Sequence, residues 1–442
     1  MGSIWGEEIK NTPSFKELEG DQSCEFLIIG GGMAGILCAY FLKEKVADYL
    51  LVEGDRIGSG VTRNTTAKIT AQHGLIYADL IKNAGDSKAR QYLRNNLLAI
   101  QKYRELSRDI PCDFEEKAAY TFSLTEKAKI EREVKAVNSL GFKAELCKKI
   151  PLPLNVKAAV MFGNQAQFNP MKFIAGISVN LNIRERTFVT KIKGTTVYTA
   201  NGKIKAKKII IATHFPFINT KGFYFTKLYQ SRSYVIALEN APDIHGMYVD
   251  SEQNGMSFRN YGNLLLIGGG DHRTGKMGGG YRELRDYKET FYPDAKEKYA
   301  WATQDCMSLD GVPYIGEYSK ANTDIYVATG FNKWGMTSSM ISAEILSDMI
   351  TGKSTVGYEV FTPRRSFIKK QFFVNIGETL VNFVKPVTKR CTHLGCALKW
   401  NRIEHTWDCP CHGSRFDKNG KLINNPAMKD AKLKPVNDQN IK

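Results

Sequence analysis

Two short stretches near the C-terminal end constrain this chain most: Cys391-Thr-His-Leu-Gly-Cys396 and Cys409-Pro-Cys-His-Gly-Ser414. Each offers one Cys and one His that a single loop can present, Cys391 with His393 and Cys409 with His412, and residues 394–408 separate the pairs. Any fold for this end of the chain must bring the two loops together, because two Cys and two His make one complete ligand set.

Zinc accepts such a set in structural sites. A zinc finger, however, groups its cysteines in one arm and its histidines in the other. Here each arm is mixed, and each carries an extra cysteine, Cys396 and Cys411. Thiolates on one iron and neutral imidazoles on the other define a Rieske [2Fe-2S] cluster, whose histidines raise the potential to roughly −150 to +300 mV. Cys391, His393, Cys409 and His412 are therefore read as its ligands. Over about residues 385–435 the loops resemble the Rieske proteins of cytochrome bc complexes. That resemblance implies a disulfide between Cys396 and Cys411, with two buried thiols as the alternative in a reducing compartment. It also implies a hydrogen bond from Ser414 to a cluster sulfide. The family's Tyr two residues further on is Phe416 here, and losing that donor lowers the potential. The segment before Cys391 is short for the family, which points to a trimmed domain leaning on its neighbour.

A second pattern opens the chain. Cys24-Glu-Phe-Leu-Ile-Ile-Gly-Gly-Gly-Met-Ala-Gly35 reads as a strand and a glycine turn, followed by a helix predicted over Ile36–Lys45. Gly30, Gly32 and Gly35 complete G-x-G-x-x-G: the first for a tight turn, the second for the approach of a pyrophosphate, the third for close helix packing. The helix N-terminus then faces phosphate. A second strand, Tyr49–Val52, ends at Glu53, placed to accept bonds from ribose hydroxyls.

The run Gly58-Ser-Gly-Val-Thr-Arg-Asn-Thr-Thr-Ala-Lys68 resembles the second flavin loop of the D-amino-acid oxidase, glycine oxidase and sarcosine oxidase family. Thr187–Val189, Ile209–Thr213 and Tyr326–Thr337 resemble that family's adenine strand, its closing strand and its final flavin-holding loop. The resemblance, over roughly residues 24–355, implies FAD. It implies contacts from Thr62, Thr66, Ala67 and Lys68, from Val189, and from Gly330, Gly335, Met336 and Thr337.

It also implies an α/β (α+β) fold: a Rossmann-like FAD-binding domain interleaved with an antiparallel-sheet substrate domain, followed by a small β-rich Rieske domain. The expected division is 24–355 for the oxidoreductase, with its nucleotide part near 24–75, 155–215 and 300–355 and its substrate part near 76–154 and 216–299. A linker helix spans 356–384, polar enough to lie across the surface, and the cluster domain spans 385–442. Helical spacing over Ala78–Leu106 and Glu126–Leu140, and strand-like runs over Lys227–Glu239 and Met256–Gly268, fill the substrate part.

Three residues are catalytic candidates. Arg232 stands where the family begins its substrate-facing strand and would pair a carboxylate bidentately; the alternative is a structural Arg. Lys333 lies in the loop at the flavin's pyrimidine edge, where a cation stabilises the reduced ring. His272, with His73 and His214 as lesser candidates, stands beside glycine-rich or flavin-loop segments as an acid or base. Cys306 is out of register with the family's flavin-linking cysteine and reads as a buried thiol. Gly268–Gly270 lacks the rest of the fingerprint, so no second nucleotide fold for NADH is expected.

No apolar run reaches the roughly 18 residues of a membrane span, and the first residues lack a signal-peptide pattern. A cytoplasmic location is the default. The net charge of +17 is concentrated at the cluster end, where residues 361–442 hold 16 Lys and Arg against 6 Asp and Glu. Such a face suits an acidic electron-transfer protein of the ferredoxin or flavodoxin type. There is no nucleic-acid motif. The sequence thus describes an oxidoreductase in which a small amine, amino acid or related molecule exchanges two electrons with FAD and a Rieske cluster relays single electrons. A ferredoxin- or flavodoxin-fed reductase of a small molecule and a non-enzymatic redox sensor remain open beside it.

Overall fold

The apolar run Phe26–Ile29 lies inside a strand, Gln22–Ile29, held in parallel between Lys203–Ile211 and Tyr49–Val52. In the computed structural model, which describes residues 2–219, 222–252, 255–353 and 357–433, these strands belong to an eight-stranded sheet bounded by Tyr314–Ser319 and Ile183–Arg184. Parallel strands covered on both faces read as unbroken Ile, Leu and Val, as these do. Helices Met33–Glu44 and Gly335–Ile350 pack together on one face in the largest apolar core. The first helix begins at Met33, three residues before the predicted start, since the turn closes as soon as Gly32 caps it.

A second, nine-stranded sheet stands beside the first. It is antiparallel except where Met247–Asp250 runs parallel to Glu115–Ser123. Ala158–Gln167 and residues 300–308 of the strand Lys296–Ser308, expected in the nucleotide part, belong here instead. Lys296–Ser308 pairs with nearly the whole of Leu228–Glu239, a longer ladder than any partner in the first sheet offers it. The predicted helix over 78–106 is two, Ile76–Ala84 and Asp86–Leu106, broken at Gly85, whose φ of +86° a helix cannot hold.

The C-terminal unit is a four-stranded antiparallel sheet, Lys399–Asn401, Thr406–Asp408, Arg415–Phe416 and Leu422–Asn424. Its core is small: Leu398, Trp407, Phe416, Ala427 and Ala431 around the four clustered cysteines. Residues 434–442 of the expected cluster domain lie outside the described residues. The linker helix runs Lys370–Val384. Its expected polar surface is not what the fold presents, since its asparagines are buried and its apolar side chains face out.

Candidate functional site

The glycine turn is a cradle that no other residue would fit. A methyl on Gly35 would lie 1.8 Å from the Gly30 carbonyl oxygen, and one on Gly30 would lie 2.5 Å from that of Ala212. Gly32 opens instead towards Thr62, 3.5 Å away, leaving space in front of the helix N-terminus. The Thr62 hydroxyl accepts from Met33 N at 3.1 Å and steadies that terminus. Glu53 accepts from Gly31 N at 2.6 Å and Asp55 N at 2.9 Å; burial raises its carboxyl, and these bonds only partly offset it. The turn, Glu53, Thr62, Val189, Gly335 and Met336 line one cleft of about 620 Å³. His214 lines it too, with a buried Nε2 that has no partner among the described residues, and burial brings its pKa down to about 4. Cradle, helix end, acid and unpartnered nitrogen together fit FAD.

A second cavity, about 570 Å³, adjoins the cleft and shares Lys333, Asp305, Gly335 and Met336 with it. Thr66 and Lys68 line it. Burial, helped by Arg259, brings the Lys68 amine down to about 7. Lys333 is ion-paired with Asp271, and burial raises Asp305 to about 6 against the pull of Lys333. His73 also reaches this cavity, but both nitrogens are engaged, Nδ1 with the Tyr92 hydroxyl at 2.5 Å and Nε2 with Thr70 O at 2.8 Å. Its ring stacks on Trp334 at 4.7 Å, and burial holds it near 3, so it is a neutral structural histidine.

Several expected contacts fall elsewhere. Thr337 turns to Thr70 O at 3.3 Å and to His73, Ala67 turns its carbonyl to Arg259, and neither these two nor Gly330 lines either of the two cavities. His272 stacks on Tyr234, bonds to Gly270 O at 3.1 Å and lines neither cavity. Arg232 is not held out for a substrate carboxylate. Its Nε and Nη2 are both taken by Glu404 of the cluster unit, with only 4% of its side chain exposed. Cys306 is a buried thiol pushed up to about 12 by burial. Sequence reasoning missed Asp271 and Asp305 as cavity residues; Asp271 is the residue that ends the glycine run Gly268–Gly270.

At the other site the two motif loops fold as twins. Cys391 N and Cys409 N donate to Cys396 O and Ser414 O, while Gly395 N and Gly413 N return to Cys391 O and Cys409 O, all at 2.9–3.0 Å. Both glycines hold φ at +81°, which is why each loop has one. The His393 and His412 rings come within 4.9 Å, and each Nδ1 is buried without a partner among the described residues. The Cys391 and Cys409 thiols interact across the two loops, which raises the first and lowers the second. Two facing thiols and two unpartnered imidazole nitrogens fit a Rieske cluster held by the four expected residues. The Cys396, Cys409 and Cys411 sulfurs lie within 4.8 Å of one another, and all nine cysteines are thiols in this structure. Ser414 accepts from Ala427 N at 2.9 Å, and its hydroxyl favours the Cys391 thiolate.

The histidine edge of these loops is not open to solvent. Phe215 and Phe225 pack edge-on against the His412 ring, and His393 Nε2 meets Asn219 Oδ1 at 2.6 Å. Gln230 donates to His412 O and Gln304 to Gly413 O, each at 2.9 Å, and Arg273 donates to Pro410 O and Cys411 O. Glu404, Arg415, Asn424 and Asn425 complete the wall of the flavin cleft. Two cations of the basic cluster end are bound within the unit: Arg390 donates to Phe383 O and Gly395 O, and Lys389 lies over the Trp407 ring.

A Rossmann-like cleft joined to such a loop pair defines an FAD-dependent oxidoreductase with its own Rieske [2Fe-2S] centre. The chain belongs to the family described as FAD dependent oxidoreductase, which it matches over residues 25–349, and residues 364–436 match the Rieske [2Fe-2S] domain. It is 34% identical, over 95% of each chain, to the Bacillus subtilis protein YhfW, whose name describes a Rieske 2Fe-2S iron-sulfur protein. Over 52 residues, 12% of this chain and 29% of the other, it is 46% identical to the cytochrome b6-f complex iron-sulfur subunit 1 of Nostoc. In fold it is similar to glycine oxidase from Geobacillus kaustophilus, with a TM-score of 0.67 and 18% identity over 78% of this chain and 99% of that one.

Proposed function

We propose that this chain oxidises a small amine or amino acid and that the electrons leave singly through the cluster to an acidic carrier protein. One observation carries the reading: the second cluster loop is bonded at Gly413 O to Gln304, a residue of the cleft wall, and residues of both units line that cleft. When bound, FAD supplies two-electron chemistry and the cluster one-electron transfer. The chain's residues set the stage for both. The glycine turn and Glu53 would hold pyrophosphate and ribose, and Cys391, His393, Cys409 and His412 would hold the irons. Gln230 and Gln304 fix the second cluster loop against the sheet that roofs the cleft. In the adjoining cavity Asp271 and Asp305 offer acceptors to a substrate ammonium, and Lys68 offers a donor to an anionic end.

An anaerobic redox titration of iron-replete protein tests the direction, following flavin by absorbance and the cluster by electron paramagnetic resonance. The expected result is a cluster potential above the flavin's. A cluster at or below the flavin overturns the outward route and makes the chain a reductase fed through its cluster.

We infer as well that Cys396 and Cys411 bridge in the mature protein, because their sulfurs are already neighbours. Thiol titration of the denatured, iron-free protein should find two thiols fewer than the nine cysteines of the sequence. Finding all nine without a reductant rules the bridge out.

A further inference from the structure

The helix Lys370–Val384 is built inside out. Its polar residues Asn375 and Asn382 point into the protein, 2% and 1% exposed. Asn375 accepts from Arg273 at 2.9 Å and donates to Thr226 O at 3.2 Å, while Asn382 donates to Glu378 O at 2.8 Å. The apolar residues face outwards: Phe373, Leu380 and Val384 are 62%, 61% and 75% exposed, and Phe367 and Ile368 extend the strip just before the helix. A helix facing water carries the opposite pattern. A contiguous apolar patch of this kind marks a surface that something covers.

Charge identifies what covers it. From Pro363 to Arg390 the sequence has seven Lys and Arg and one acid, Glu378, which is ion-paired with Lys276. Arg364 and Arg365 are ion-paired with Glu317 and Asp310, and Lys389 and Arg390 are engaged within the cluster unit, which leaves Lys369 and Lys370 at the start of the strip and Lys385 just beyond its end to meet a partner. A second copy docking face to face would bring these cations against their own kind. Anionic lipid matches them, with apolar side chains entering the acyl boundary and cations meeting headgroups. The helix has 15 residues, and no helix among the described residues is long and apolar enough to cross a membrane, so it would lie in the plane of the interface.

We propose that this helix docks the protein on the surface of an anionic bilayer. Its inner side holds the cluster loops, since Cys411 Sγ reaches Glu378 O at 3.8 Å and Ala397 N donates to Asn382 O at 2.8 Å. Docking therefore seats the cluster directly beneath the lipid.

The test is co-sedimentation of the full-length holoprotein with vesicles of mixed phosphatidylcholine and phosphatidylglycerol, and with vesicles of phosphatidylcholine alone. Binding is expected to the mixed vesicles, to weaken in high salt, and to be poorer on the neutral ones. The combined variant Phe373→Ser, Leu380→Ser and Val384→Ser should lose about tenfold or more of that binding, with flavin and cluster spectra unchanged, because exposed side chains support no core. No binding by the parent protein, or equal binding by the variant, overturns the proposal. So does a parent dimer that the variant dissociates, which would show a second copy on the face.

Discussion

Replacing His412 with alanine is expected to abolish the cluster and leave the flavin bound. Neither ring nitrogen of His412 has a partner among the described residues, so removing the ring strands no protein donor or acceptor. Its carbonyl still accepts from Gln230, which keeps the loop in place. The direct cost is the space left between Phe215 and Phe225, about 2 kcal/mol by analogy with other buried truncations. Loss of one of four ligands is far costlier to the iron site, whose binding free energy depends on a complete set. The variant should show flavin absorbance and no Rieske paramagnetic signal. Substrate should still reduce the flavin without oxygen, while turnover with a one-electron acceptor falls by about a hundredfold or more. A signal that survives His412→Ala would remove His412 from the ligand set. Bound zinc with no paramagnetism in the parent protein would replace the cluster altogether.

How much of this was legible in the sequence depends on how far apart the partners stand. The glycine turn and the two Cys-x-His and Cys-x-x-His loops are local, and Gly30, Gly35, Gly395 and Gly413 are each fixed by a contact or a φ within their own turn. Their geometry follows from residue type and spacing. Arg232 shows the opposite case. Its position in the strand is legible, but its partner Glu404 stands 172 residues away in another unit, so an Arg suited to substrate is spent on the interface. His272 fails for a related reason: a glycine-rich neighbourhood says that the backbone turns, not which way the ring goes. The linker helix misleads because its composition is mixed and only the fold reveals which stripe is inside. Asn375 and Asn382 are buried by Arg273, Thr226 and Ala397, none of them near in sequence.

The largest effect on stability is expected at Glu404. It sits between Arg232 and Arg415, and Asp408 takes Arg415 Nε at 3.0 Å, with side chains 16%, 4%, 6% and 1% exposed in that order. Glu404→Gln removes the carboxylate that holds Nε and Nη2 of Arg232 and leaves a buried guanidinium undercompensated. Breaking a buried pair from one side costs about 3–5 kcal/mol. The pH dependence gives the sign. Burial raises the Glu404 carboxyl, but Arg232 and Arg415 outweigh it and hold it below its ordinary value. A carboxyl depressed on folding stabilises above the unfolded value, about 4.3, and that stability is lost as pH falls through the folded one. Thermal unfolding should therefore separate parent and variant widely at neutral pH and bring them together in acid. Replacing both partners, Arg232→Leu with Glu404→Leu, should recover most of the loss, since a matched apolar pair strands no charge. If Glu404→Gln unfolds like the parent at neutral pH, the network does not hold the cluster unit to the flavin unit. If instead it lowers stability and also slows reduction of the cluster by substrate, with the flavin still reduced at the parent rate, the same four side chains set the electron path as well as the interface.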